Sequence, residues 1–176
     1  MLFRSRFDLR YVEQPVEGMD RLAEVARAID IPVMADETAW TARDALEIAE
    51  KRAAEIVSIY TTKPGGLYRA AEIAAVCSAA GLRCNVNGSV ETGIGNRANL
   101  IFAASSPAVT ISCVVPVSTP AAALKPQQVA GIYYRDDLIA SPFDFSDGAI
   151  TVPDAPGLGW AVDPAKIETY RVRPGN

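Results

Sequence analysis

Four short apolar runs each close on a polar or ionisable residue at almost constant spacing. Glu13 ends "YVE", Asp36 ends "VMAD", Tyr60 ends "EIVSIY" and Asn85 lies in "RCNVNG", 23, 24 and 25 residues apart in turn. Amphipathic stretches of helical period fill the gaps. A strand, a helix and another strand at this period require parallel strands joined by right-handed crossovers, because the chain must return to the same sheet edge before each strand begins. The spacing therefore predicts an α/β fold with its polar strand ends gathered along one edge.

The intervening segments support this reading. "MDRLAEVARAID" places Leu22, Val25, Ala26 and Ile29 on one helical face. Thr41, with Asp44 three residues on, predicts a capped helix burying Ala42, Ala45, Leu46 and Ala49. "GLYRAAEIAAVCSAAG" predicts a third helix stopped by Gly81, "NRANLIFAAS" a fourth, and "TISCVVP" (110–116) a further strand. Beyond about residue 117 the pattern changes to turns and antiparallel pieces in "GIYYRDDL" and "DGAITVPDAPGLGW". The predicted division is 1–117 for the βα series and 118–176 for a different C-terminal segment. Two architectures fit, an open doubly wound sheet and a β/α barrel. A full barrel takes about 250 residues and only four to five βα units are present, so periodicity alone tilts towards the open sheet.

Composition removes several kinds of chemistry. The chain of 176 residues contains no histidine, so any acid–base work falls to Asp, Glu, Lys, Tyr or Cys. A net charge of −4 argues against a nucleic-acid or anionic-membrane partner. Cys77, Cys84 and Cys113 are odd in number and lack metal-site spacing, which predicts reduced thiols in a cytoplasmic protein. "MLFRSRFDLRYV" holds two early arginines and no apolar core long enough for a signal peptide. Asn99 to Leu124 carries no formal charge, but Pro107, Pro116 and Pro120 interrupt it, so it reads as strand and loops rather than a membrane span.

Glu13 and Asp36 stand at equivalent ends of adjacent parallel strands, within several Å of each other. Two such carboxylates need screening by water or a shared divalent cation, and oxygen donors without imidazole or thiolate select Mg²⁺ or Mn²⁺. The plain alternative is that each caps a helix or meets an arginine. "NGSVETGIGN" sets Gly88, Gly93 and Gly95 before a helix and offers either a phosphate cradle or ordinary turn glycines, with Glu91 repelling a phosphate.

Taken in order, "YVEQP", "IPVMADE", "KPGGLYRAAEIAAVCSAAG", "NGSVETGIG" and "YYRDDL…DGAITVPDAPGLG" resemble the enolase superfamily, in its muconate-lactonising and mandelate-racemase-like branch, from about Leu9 to Val172. The resemblance implies a partial (β/α)8 TIM-type barrel, about strands 4 to 8, with a C-terminal segment that packs on a capping domain. It implies Mg²⁺ (or Mn²⁺) held by Glu13 and Asp36, a small carboxylate substrate, and loss of its α-proton, with Glu91 closing the site. The usual sixth-strand lysine is replaced by Tyr60, while Lys63 matches the supporting lysine. That makes Tyr60 the expected acid or donor and gives Lys63 an electrostatic role. A one-base elimination or cycloisomerisation then fits better than two-base racemisation. Asn85 and Asn87 are expected either to bind substrate or to satisfy loop backbone. The family's lysine base and third metal carboxylate have no counterpart, which predicts a truncated chain or one that associates, as a homo-oligomer for instance, to hide open edges. A non-catalytic remnant and a phosphate-binding barrel enzyme are the competing functions.

Overall fold

A computed structural model of the protein describes residues 7–89, 91–115, 137–141 and 143–172. The chain divides into two compact units, Met1–Asn87 with Phe102–Val114, and Gly88–Ile101 with Val115–Asn176.

In the first unit, β1 (Val12–Glu13), β2 (Val33–Ala35), β3 (Ile56–Ile59) and β4 (Arg83–Val86) alternate with α1 (Met19–Ala28), α2 (Ala42–Lys51) and α3 (Leu67–Ala80). Every pairing in this sheet is parallel, and the strands lie in sequence order β1-β2-β3-β4. A doubly wound sheet reverses its order at a switch point. No reversal occurs among the described strands, which corrects the tilt of the periodicity towards that architecture. Parallel bridges Cys84–Val109 and Asn87–Val114 continue the same order. They are isolated bridges rather than the continuous strand predicted over 110–116, whose last residue, Pro116, lies outside the described residues.

Register assigns the faces. Glu13 pairs with Met34, Met34 with Ile56, and Ser58 with Asn85, so these side chains share one face by the period of two. Val33, Ala35, Val57, Ile59, Cys84 and Val86 take the other face and are fully buried. One hydrogen bond measures the curvature of the sheet. Asn87 Nδ2 donates to Glu13 Oε1 at 2.8 Å, linking the outer end of β4 to β1. In a flat sheet, three strand spacings would separate them by about 14 Å, more than an extended Asn and an extended Glu can close. The sheet is therefore curled, with its polar face inward.

Local sequence builds the helices. The Thr41 hydroxyl accepts from the Asp44 N–H at 3.2 Å, and the Asp44 carboxylate accepts from the Thr41 N–H at 2.8 Å, the capping box that the spacing predicts. α3 ends on Gly81 at φ +75°, whose N–H reaches the Cys77 and Ser78 carbonyls. In α1, Leu22 and Ala23 are fully buried and Val25, Ala26 and Ile29 half-buried. In α2 the prediction fails at one position: Leu46 is 50% exposed, and Ile48 on the opposite flank of the stripe is buried instead.

α4 (Gly93–Ser105) starts three residues before the predicted Asn96, and its part up to Ile101 belongs to the second unit. Asp137 Oδ1 accepts from the Gly93 N–H at 2.7 Å, placing a buried carboxylate on the helix N-terminus. Leu100, Ile139 and Phe143 form the core there, with Trp160 packed against it. The predicted antiparallel pieces appear as β5 (Phe145–Ser146) and β6 (Ala149–Ile150), joined by Asp147 and Gly148 at φ +51° and +77°. Positive φ at both turn residues matches the right-handed twist of a two-residue hairpin. α5 (Pro164–Tyr170) follows Asp163, whose side chain accepts from the Ala165 and Lys166 N–H groups. The "GIYYRD" part of the predicted C-terminal pattern lies outside the described residues. Among the described residues, no helix is long and apolar enough to cross a membrane.

Candidate active site at the strand ends

Lys63 organises one half of the site. Tyr60 follows β3, and a turn closed by Lys63 N–H to Tyr60 O (3.1 Å) and Gly66 N–H to Thr61 O (2.7 Å) carries the chain into α3. Gly65 and Gly66 sit at φ +95° and +120°, open only to glycine without strain. The turn folds the Lys63 side chain, 1% exposed, back onto Asp36, with Nζ 2.7 Å from Oδ1. The same ammonium donates to the Asp36 carbonyl at 2.8 Å and the Ser58 carbonyl at 2.9 Å. Three donors meet three acceptors, so the group is a fixed cation rather than a free base. Burial pulls the Lys63 pKa down, and Asp36 works in the opposite direction. Nζ also stands 4.7 Å over the ring of half-buried Tyr60, a cation–π contact.

Glu13 organises the other half. It accepts from Asn87 Nδ2, and Asn87 Oδ1 accepts in turn from Asn85 Nδ2 at 2.8 Å. Partial burial first, then the nearby Asp36 carboxyl, raises the Glu13 pKa. Among the described residues no arginine pairs with either acid, and Asp36 stands close enough to Glu13 to raise its pKa. Glu13, Asp36, Tyr60, Lys63, Asn85 and Asn87 are thus gathered at one sheet edge. Glu91 belongs to the second unit, where its backbone carbonyl accepts from Asn96 Nδ2 at 2.8 Å.

The sequence reading missed Gln14. Its Oε1 accepts from the Asp36 N–H at 2.8 Å and the Thr38 N–H at 3.3 Å, while Nε2 donates to Thr38 Oγ1 and the Val16 carbonyl. These bonds tie the end of β1 to the loop bearing Asp36. They hold Gln14 at φ +35° immediately before Pro15, a backbone conformation costing on the order of 1–3 kcal/mol. The one available signal was an amide side chain between a strand-end acid and a proline. Gln14 also lines, with Glu13, Glu17 and Glu37, an open acidic cleft of about 410 Å³.

The donor set fits a hard divalent cation in kind. Two nearby carboxylates, one paired with an ammonium and one hydrogen-bonded by an amide, offer oxygen ligands alone. Among the described residues no group of three or more His, Cys, Asp or Glu side chains forms a cation site, so the remaining positions would go to water, substrate or further oxygen ligands. A phosphate at the start of α4 finds less room, since the Asp137 carboxylate already takes the Gly93 N–H.

Comparison with known proteins identifies the lineage. A family described as enolase C-terminal domain-like matches residues 1–166. The chain is 32% identical to muconate cycloisomerase 1 of Rhodococcus opacus over 90% of its own length, and 36% identical to an N-succinylamino acid racemase of Amycolatopsis sp over 92%. It covers 40% and 41% of those two proteins. Among solved structures, the substrate-liganded L-Ala-D/L-Glu epimerase of Bacillus subtilis superimposes with TM-score 0.73 at 32% identity, over 86% of this chain and 39% of that one. The 2-chloromuconate cycloisomerase of Rhodococcus opacus 1CP gives 0.80 at 26% identity, over 94% and 42%. The parallel, consecutively ordered strands accord with this lineage: the chain belongs to the enolase C-terminal domain-like family of the enolase superfamily.

Proposed function

We propose that the chain is the C-terminal, barrel-forming part of a Mg²⁺-dependent enzyme that removes the proton α to a carboxylate, corresponding to about strands 4 to 8 of a (β/α)8 barrel. The observation that carries the reading is the pairing of Glu13 with Asp36 at the mouth of a curled parallel sheet. The names of the relatives support the substrate class, since muconate, N-succinylamino acids and o-succinylbenzoate are all carboxylates. Glu13 and Asp36 would hold the metal, which when bound supplies electrostatic stabilisation of the negative charge developing on the substrate carboxylate.

The residues of the chain prepare that site. Lys63 pins Asp36 through one carboxylate oxygen, and Asn87 holds Glu13 through one of its own. Tyr60, under the Lys63 ammonium, is the acid or hydrogen-bond donor at the position where a lysine base is expected in this branch. A phenol in that role suits a one-base elimination or cycloisomerisation better than racemisation. The outer edge of β1 carries no partner among the described strands, which supports association at that edge, as in a homo-oligomer. A cytoplasmic setting accords with the three free thiols.

A second reading, a metal-free and non-catalytic chain, is favoured by one observation, the absence of a third acidic ligand among the described residues. Calorimetric titration of the chain with Mg²⁺ separates the two. Millimolar or tighter binding that is lost in Asp36→Asn supports the enzyme reading, and no binding by the unaltered chain overturns it.

A further inference from the structure

We infer that Asn85 and Asn87 are positioning residues that aim the Glu13 carboxylate, acting as one polarised line of hydrogen bonds anchored at Ser58. The inference rests on the metal-binding reading of Glu13 and Asp36 and says how one of those ligands is held.

Chemistry sets the direction of the line. An ionised Glu13 only accepts, so Asn87 must present Nδ2 to it, as observed at 2.8 Å. The Asn87 Oδ1 then faces back along the strand and needs a donor, which Asn85 Nδ2 supplies at 2.8 Å. Residues two apart on a strand share a face, so one strand end delivers both amides in the correct order. This orientation leaves Asn85 Oδ1 pointing inward. That atom and Ser58 Oγ are buried, on residues 0% exposed, and have no hydrogen-bond partner among the described residues.

The two orphans belong together. Ser58 and Asn85 are register partners across β3 and β4. One is a rotatable hydroxyl that can donate and the other is an acceptor. One buried water accepting from the Ser58 hydroxyl and donating to Asn85 Oδ1 satisfies both atoms. Ser58 also accepts Lys63 through its carbonyl. One residue therefore anchors both supports, Lys63 for Asp36 and the asparagine line for Glu13. In this reading the two amides serve Glu13 through the bonds at 2.8 Å.

Mn²⁺ titration of the full chain, read by the electron paramagnetic resonance signal of free Mn²⁺ and by calorimetry, tests this. Residues behind a metal ligand typically account for about 10–100-fold in affinity, so Asn87→Ala is expected to weaken Mn²⁺ binding by that factor. Asn85→Leu, which keeps the branching at Cγ and removes the donor, should weaken it by a smaller factor in the same direction. Asn87→Ala added to Glu13→Gln should produce no further loss, because Asn87 acts through Glu13. Circular dichroism confirms that each variant is folded. Should Asn87→Ala fail to fold, the Asn87 side-chain amide resonance in the ¹⁵N spectrum of the unaltered chain serves instead, and it must move in Glu13→Gln. Wild-type affinity in Asn87→Ala, a fully additive double variant, or an unmoved amide resonance overturns the positioning role while Asp36→Asn still reports the metal site. If the unaltered chain binds no Mn²⁺, the inference and the reading beneath it fall together.

Discussion

Lys63 and Asp36 lie 27 residues apart in sequence, yet the ammonium of one is 2.7 Å from the carboxylate of the other and also holds its backbone carbonyl. The lysine therefore fixes both the charge and the backbone of the β2 end. Removing it would leave Asp36 and Glu13 as adjacent acids without a cation, and two buried carbonyls without their donor. Loss of one partner of a buried pair costs about 3–5 kcal/mol, and Asp36 at 13% exposed puts this case near the lower figure. Lys63→Met is expected to lower the urea midpoint accordingly. Lys63→Arg should fail to rescue it, since a planar fork cannot replace three donors converging from one nitrogen. A variant as stable as the unaltered chain would show that the pair contributes no net stability.

Local features of the fold were legible where a few neighbouring residues decide the outcome. Thr41 with Asp44, and Gly81 after its helix, each contain the donor, acceptor or backbone freedom that the end of an element requires. The spacing of Glu13, Asp36 and Asn85 likewise follows from short crossovers. Burial on α2 was less legible. Leu46 and Ile48 flank the same alanine stripe, and only packing against neighbouring helices selects Ile48. The supports of the site were hidden for a related reason. Asn87 reaches Glu13 across 74 residues and Asp137 reaches Gly93 across 44, distances over which no periodicity carries information.

Asp20 on α1 and Lys51 on α2 meet at 2.5 Å on the surface, and Glu47 joins the same ammonium at 3.0 Å. The hydrogen bond and charge of Lys51 hold the Asp20 pKa below its ordinary value, while Asp20 and then Glu47 hold that of Lys51 above its own. A depressed carboxyl stabilises the fold above its unfolded pKa and loses that contribution as pH falls through the folded value. A raised ammonium contributes below its unfolded pKa and loses this as pH rises through the folded one. Asp20→Asn should therefore cost a small amount of stability through the neutral range and nothing at strongly acid pH, with the difference shrinking in high salt. Urea midpoints across pH check this; a difference that grows on acidification would contradict it.

The three thiols should behave differently. Cys113 is exposed, whereas Cys77 on α3 and Cys84 on β4 are buried against each other between helix and sheet. The hydrogen bond from its neighbour, together with burial, pushes the Cys84 thiol far above its ordinary range. Thiolate is the reactive form, but burial raises the Cys113 thiol too and the hydrogen bond with Cys84 lowers that of Cys77, so access to solvent sets the order. Titration with an aromatic disulfide reagent should therefore release one equivalent rapidly from the native chain and two more only on unfolding. Cys113→Ser should abolish the fast phase alone. A native fast phase of more than one equivalent would place Cys77 or Cys84 within reach of solvent.

In the second unit, Arg97 is 1% exposed and is held by carbonyls and a ring: Nε donates to the Leu158 carbonyl, Nη2 to that of Pro153 at 3.2 Å, and the guanidinium lies 4.4 Å over Trp160. Gly159 sits inside this arrangement at φ +71°, and a Cβ there would fall 2.7 Å from Nη2. Gly159→Ala thus meets two separate penalties. The backbone conformation alone disfavours an L side chain by about 1 kcal/mol, and the contact forces Arg97 from its carbonyl partners, at roughly 1–3 kcal/mol for each buried acceptor left unmet. In an Arg97→Ala background the second penalty disappears, and Gly159→Ala should then cost only the backbone part. Urea unfolding followed by Trp160 fluorescence, with exposed Trp40 as a steady background, gives the four stabilities of this cycle. Equal costs of Gly159→Ala in both backgrounds would mean that the loop does not depend on the guanidinium packed against it.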